Sequence, residues 1–244
     1  MRATLTYHSV DESRSPISVA PAAARAHLRW LLSGRVRVLP LDELASHPAD
    51  GSDAVAVTFD DGFLNARGAM EALLIEGLPV TVFVVSRHAG GTNAWAGRDQ
   101  AGIPTLPLLS WSDLEHLRAK GATVEAHTRR HLPLTTLSDD ALDDELAGGQ
   151  ADLRDRLGVS SRHLAYPYGD HNIRVSERAR RFYSFGHTTE FGVLRAGADP
   201  LRLPRLDMYY FRDPGALESW GTEAFARRMR WIRLRRRVRA LVAR

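Results

Sequence analysis

The residues best suited to chemistry form the pentapeptide Thr58-Phe59-Asp60-Asp61-Gly62, which closes the apolar run Ala54-Val55-Ala56-Val57. Adjacent carboxylates at the end of a strand project in different directions, so one can ligate a cation while the other serves as a base. The same residues also fit a plain Asp-Asp-Gly turn with both acids in water. A second group, His127-Thr128-Arg129-Arg130-His131, follows the run Ala122-Thr123-Val124. Its spacing predicts one helical turn with both imidazoles on one side, in reach of a single divalent ion, the alternative being two surface histidines. With Asp61 they make a two-histidine, one-carboxylate set with positions open to water and substrate, a donor set that suits zinc first among the borderline divalent ions. In a third group, Tyr166-Pro167-Tyr168-Gly169, the proline stiffens a turn and the glycine permits an unusual backbone path. A backbone N–H there can face a substrate oxygen, although alone the tetrapeptide is only a β-turn.

All three groups follow strand-like runs, so the elements that carry them come next. The alternation of β-rich and amphipathic stretches predicts strand-helix units around a mainly parallel sheet or barrel. Strands are expected at 3–8, 35–39, 54–60, 79–86, 122–127, 162–166, 183–187 and 202–207, and helices at 20–33, 41–46, 64–76, 111–120, 138–157 and 172–181. Ser110 with Asp113 signals a helix start, Gly121 a stop, and Ser138 another start. Residues 87–110 and 188–201 are expected as long loops of the kind that line sites.

Together the motifs resemble the NodB-homology polysaccharide deacetylases, carbohydrate esterase family 4. Thr-Phe-Asp-Asp-Gly, His-Thr-x-x-His and a Pro-Tyr-Gly turn stand in that family's order, and the similarity covers roughly residues 1–210. The resemblance implies an irregular (β/α) barrel of about seven strands in one domain at 1–210, with 211–244 as a C-terminal extension. It implies Asp61, His127 and His131 as ligands of one divalent metal, and Asp60 as the base. Two departures stand out. Ala165 occupies the position of an arginine that usually orients the base, and Leu203-Pro204-Arg205-Leu206 stands where the family usually has a histidine acid. In Leu5-Thr6-Tyr7-His8-Ser9 the chain resembles instead a rearranged branch, which includes the poly-N-acetylglucosamine deacetylases and takes its acid from a histidine after the first strand. His8 is then the acid and Arg205 the substitute orienting arginine, the alternatives being a turn-capping histidine and a surface ion-pair partner. The activity implied is removal of an N-acetyl group from an amino sugar in a polysaccharide, lipopolysaccharide or precursor. The Tyr168 N–H is placed to stabilise the oxyanion, and Trp95, Trp111, Tyr166 and Tyr168 are candidate faces for a sugar ring, with Trp111 also suited to core packing. Alternatives are an amidohydrolase acting on a small amide or formyl group, and a carbohydrate-binding protein on a decayed scaffold.

Composition sets the outer bounds. With 244 residues, 44% hydrophobic and 25% charged, the chain is sized for one core rather than two. Zero cysteines exclude disulfide scaffolds, thiolate metal sites and cysteine nucleophiles. No long apolar segment is present, and a cytoplasmic location is the expectation. The net charge of +4 is uneven: residues 227–244 hold nine arginines and no acid, which leaves the rest of the chain at −5. This tail predicts a basic helix with a broad apolar face, suited equally to an anionic membrane surface and to docking on the barrel. Nucleic acid is not expected as a partner, because the body would repel phosphates.

Overall fold

Fully buried strands supply the inner wall of the molecule. The computed structural model describes residues 1–96, 102–213 and 215–242. Strands β1 (Arg2–Tyr7) and β5 (Ala54–Phe59) are buried at every position, as expected for parallel strands covered on both faces. They pair in parallel from Arg2 with Ala54 to Tyr7 with Phe59. The remaining barrel strands are β6 (Val80–Val84), β7 (Thr123–Ala126), β8 (His163–Ala165), β9 (Phe185–Phe191) and β10 (Leu203–Asp207). Their order, β1-β10-β9-β8-β7-β6-β5, closes on itself through the β1–β5 pairing, giving a seven-stranded parallel barrel in a single domain.

Three short strands lie outside this ring. β2 (Ser9–Val10) pairs with β3 (Ser18–Val19) above β1. β4 (Arg37–Val38) pairs with Ala54 and Val55, on the edge of β5 that β6 takes over from Val57 onward. That sharing limits β4 to two residues where five were expected. The helices are α1 (Pro21–Leu32), α2 (Leu41–Ser46), α3 (Arg67–Ile75), α4 (Trp111–Ala119), α5 (Asp139–Leu157), α6 (Ile173–Ala179) and α7 (Glu223–Val242).

Helix boundaries follow their caps. The Ser110 hydroxyl accepts from the Asp113 N–H at 3.1 Å while the Asp113 carboxylate accepts from the Ser110 N–H at 2.9 Å, a reciprocal pair that starts α4. The expected helix at 64–76 divides into a 3-10 turn, Leu64–Ala66, and α3. The expected loop at 188–201 is shortened because β9 continues to Phe191, where it pairs with Arg205 of β10.

The basic tail is helical and its first half is docked. Phe225, Met229 and Ile232, spaced four and three apart, are buried in the main core. Arg233 Nε donates to the Phe191 carbonyl at 3.1 Å, and Arg236 donates to the Thr189 carbonyl at 2.7 Å. Arg244 lies outside the described residues. Among those residues no helix is long and apolar enough to cross a membrane.

Candidate active site

Five segments deliver side chains to one end of the barrel, where its strands finish. His8 follows β1, Asp60 and Asp61 follow β5, His127 follows β7, Tyr166 to Tyr168 follow β8, and Arg205 lies within β10. The C-terminal rim of a β/α barrel is where loops can be reshaped without disturbing the packed wall. His8, Asp60, Asp61, His127, His131, Tyr166 and Tyr168 line one cavity of about 170 Å³ there, together with Trp95 and Thr189.

The local backbone is forced into place. Asp61, Thr128, His131 and Tyr168 all have φ between 59° and 68°, in the left-handed region that ordinary residues avoid. Each such residue costs on the order of 1 kcal/mol and persists only where its surroundings dictate it. The expected helical turn at 127–131 is therefore absent. The two histidines converge instead through a loop bent at Thr128 and His131. Part of the cause lies in α5. Glu145, fully buried, accepts from the Arg129 and Arg130 backbone N–H groups at 3.1 and 2.8 Å and from Arg130 Nε at 2.6 Å. Gly149 of α5 lets Thr128 approach so closely that an added Cβ would sit 3.1 Å from its carbonyl carbon. Gly149→Val is therefore expected to push the loop outwards and weaken metal binding about tenfold or more, as loss of outer-shell support typically does. Zinc titration of the folded variant checks this.

Asp61, His127 and His131 place one ligand atom each within 4.8 Å of the others, and all three are buried. His127 Nδ1 is 2.7 Å from the Ala165 carbonyl, which can only accept, so Nδ1 carries a proton and in the neutral ring Nε2 presents a lone pair. That lone pair faces Asp61 Oδ1 at 3.1 Å, and His131 Nε2 faces the same oxygen at 3.3 Å. Asp61 Oδ1 is buried and has no neighbour to pair with other than these two imidazoles among the described residues. Two buried imidazole nitrogens and a buried carboxylate oxygen converging on one point are a set that a divalent cation can join by displacing any proton between them, so these residues fit the implied metal. His131 is oriented by rings: Trp95 lies 4.2 Å and Tyr168 4.5 Å from it, centroid to centroid.

Asp60 has a different environment. Arg205, only 4% exposed, grips both its oxygens, Nη1 to Oδ1 at 2.8 Å and Nη2 to Oδ2 at 2.7 Å. The guanidinium is itself fixed by Nε donating to the Thr188 carbonyl at 3.0 Å and by the Phe83 ring, 5.7 Å away. Burial alone would raise the Asp60 carboxyl, but Arg205 and His8 outweigh it and hold the group below the usual carboxylate range. His8 Nε2 lies 3.8 Å from Asp60 Oδ2. Arg205 is thus an interior clamp and not a surface ion-pair partner.

Of the proposed sugar faces, Trp95, Tyr166 and Tyr168 line the cavity, whereas Trp111 packs against the main core beside Arg156. Tyr166 is committed structurally, its hydroxyl donating to the Leu201 carbonyl at 2.9 Å. Residues 97–101 of the expected 87–110 loop lie outside the described residues. Sequence reasoning also missed Asp207 at the end of β10, whose carboxyl burial pushes above the usual range, with the neighbouring His8 pulling the other way. Its only signal was its place two residues after Arg205.

Comparison with known proteins identifies the family and the fold. The family model described as polysaccharide deacetylase covers residues 47–183, more than half of the chain, and the chain belongs to that family. It is 25% identical over 195 residues to the Bacillus subtilis (strain 168) protein YxkH, assigned to the polysaccharide deacetylases, covering 78% of this chain and 64% of that one. A Streptomyces coelicolor protein of uncharacterised role is 26% identical over 139 residues, so the chain spans 64% and 49% of the lengths of these relatives. Among solved structures, the Streptococcus pyogenes deacetylase PplD, in complex with acetate, superposes with a TM-score of 0.76 at 20% identity, over 89% of this chain and 96% of that one. IcaB from Ammonifex degensii superposes at 0.68 and 26% identity, over 84% and 90%.

Proposed function

We propose that the protein is a metal-dependent hydrolase that removes the N-acetyl group from an amino sugar in a polysaccharide, lipopolysaccharide or glycan precursor. The observation that carries this reading is the pairing in one cavity of the buried Asp61–His127–His131 cluster with an Asp60 carboxylate kept ionised by Arg205. Asp61, His127 and His131 would hold a divalent cation, zinc first, which when bound would supply Lewis acidity for the acetyl carbonyl and for water. Asp60 accepts a proton from that water as its oxygen bonds to the carbonyl carbon. Arg205 positions Asp60 and keeps it unprotonated. The Tyr168 backbone N–H stabilises the negative charge on the former carbonyl oxygen, a role worth about 3 kcal/mol per donor. His8 gives a proton to the nitrogen as the carbon–nitrogen bond breaks, leaving acetate and a free amine.

Release of acetate and amine in equal amounts from N-acetylglucosamine, supplied as oligosaccharides and as phosphate esters, tests the reading. Turnover confined to N-formyl groups or small amides would replace the substrate class, and sugar binding without any release would replace the enzyme.

Because Asp60 acts as a base only when ionised, its lowered pKa should carry activity to low pH. Arg205→Gln removes the main charge that lowers it, so the acid limb of kcat/KM should move to higher pH. An unmoved limb would separate Arg205 from Asp60's function.

We also infer that α7 meets an anionic membrane surface. Trp231, Leu234 and Val238 are 56%, 60% and 51% exposed, opposite the docked residues Phe225, Met229 and Ile232. Arginines flank this apolar stripe, the combination that favours anionic lipid. Sedimentation with phosphatidylglycerol vesicles, lost on Trp231→Glu/Leu234→Glu substitution, checks it.

A further inference from the structure

Beside the catalytic cavity, α7 and the turn after β10 enclose a second, larger cleft of about 520 Å³. Its walls carry Arg212, Arg228, Arg235 and Arg236 with Tyr209, Tyr210 and Trp231. Asp213 is the one carboxylate among the described residues lining it, and it pairs with Arg228 at 3.2 Å. Arg212, Arg235 and Arg236 form no ion pair with a carboxylate among the described residues. A body otherwise net acidic thus concentrates uncompensated positive charge in one concave place.

The arginines are also laid out for gripping. The Arg212 guanidinium lies 4.1 Å from the Tyr209 ring centroid, and that of Arg235 lies 4.5 Å from the Trp231 centroid. A guanidinium stacked on an aromatic face directs its N–H donors outwards from its edges, where a phosphate can take two at once. Stacking also limits the rotamer freedom that a free arginine would lose on binding.

Arg236 joins this cleft to the site. It donates to the Tyr210 hydroxyl at 3.3 Å and to the Thr189 carbonyl at 2.7 Å, and Thr189 lines the catalytic cavity. The same guanidinium bears electrostatically on Asp207, next to His8. A substrate with its acetamido group among Asp60, His8 and the metal ligands, and with its next substituent directed past Thr189, would meet Arg236 and then the other arginines of the cleft.

We propose that the cleft is an anion subsite, and that the substrate is an amino-sugar phosphate or diphosphate ester rather than a neutral polymer. This rests on the deacetylase reading above. A neutral glycan offers the stacked guanidinium groups only uncharged hydroxyl oxygens, while a phosphate ester offers negative charge and several acceptor oxygens that can take paired N–H donors. The ester is either soluble or lipid-linked.

The test compares the full zinc-loaded chain with Arg212→Gln/Arg235→Gln, following acetate release from three probes. These are N-acetylchitotetraose, N-acetylglucosamine 1-phosphate in solution, and N-acetylglucosamine linked through diphosphate to a farnesyl chain in phosphatidylcholine vesicles. The double substitution should raise KM about tenfold or more for a phosphate-bearing probe, leave kcat unchanged, and leave N-acetylchitotetraose unaffected. Whichever phosphate probe has the higher kcat/KM identifies the soluble or lipid-linked source. Calorimetry with inorganic diphosphate reads the cleft without turnover. Binding should weaken about tenfold in the double variant and persist in His131→Ala. Equal loss for all three probes, or diphosphate binding lost in His131→Ala and kept in the double variant, overturns the subsite. Arginine-dependent diphosphate binding with no acetate from any probe would leave the subsite standing and remove the deacetylase reading.

Discussion

Asp60→Asn is expected to retain its full complement of metal and to release acetate at least about a hundredfold more slowly, in line with the contribution of a positioned base. The substitution keeps shape and size while removing the charge, so Arg205 loses its ion pair without a cavity being opened. Asp60 is not among the three clustered donors, and its oxygens are already committed to Arg205. Metal content should therefore not follow activity. Loss of both together would make Asp60 a ligand, and near-normal turnover would deny it any role.

His8→Ala is expected to lower turnover by a comparable factor, with metal content and folding unchanged. An amide nitrogen is too basic to leave without a proton, so some acid must serve. Arg205, in the strand position where a histidine was expected, stays protonated and cannot donate near neutral pH. His8 lies at the cavity with Nε2 3.8 Å from Asp60 Oδ2, and no other histidine outside the metal cluster lines that cavity among the described residues. His163 and His187 hydrogen-bond each other at 2.9 Å inside the barrel, and His171 stacks on Tyr166 outside it. Wild-type turnover in folded, zinc-loaded His8→Ala would overturn the assignment.

The element order and the strand-end location of each motif were legible because apolar runs and caps are local signals. Asp60, Asp61, His127 and His131 follow those runs directly. The shape of the histidine loop was not legible, since spacing of four fits a helical turn as well as the loop that Glu145 and Gly149 impose from α5. Both are distant in sequence from the loop they shape, and the one local hint was Gly148-Gly149 inside a 19-residue helix. Closure of the barrel was likewise invisible to periodicity, because the β1–β5 register depends on residues about fifty positions apart. The Asp60–Arg205 clamp spans 145 positions, and only the departure from the usual family motif drew attention to Arg205. For the tail, composition showed a basic apolar helix but could not say which face would dock. The spacing of Phe225, Met229 and Ile232 against the barrel decides that.

The central claim is that Asp61, His127 and His131 together hold one divalent cation, and zinc stoichiometry tests it most directly. After dialysis against zinc and removal of the excess, elemental analysis of the folded chain should give one equivalent for the wild type and close to none for His131→Ala. A full equivalent retained by folded His131→Ala would contradict the account.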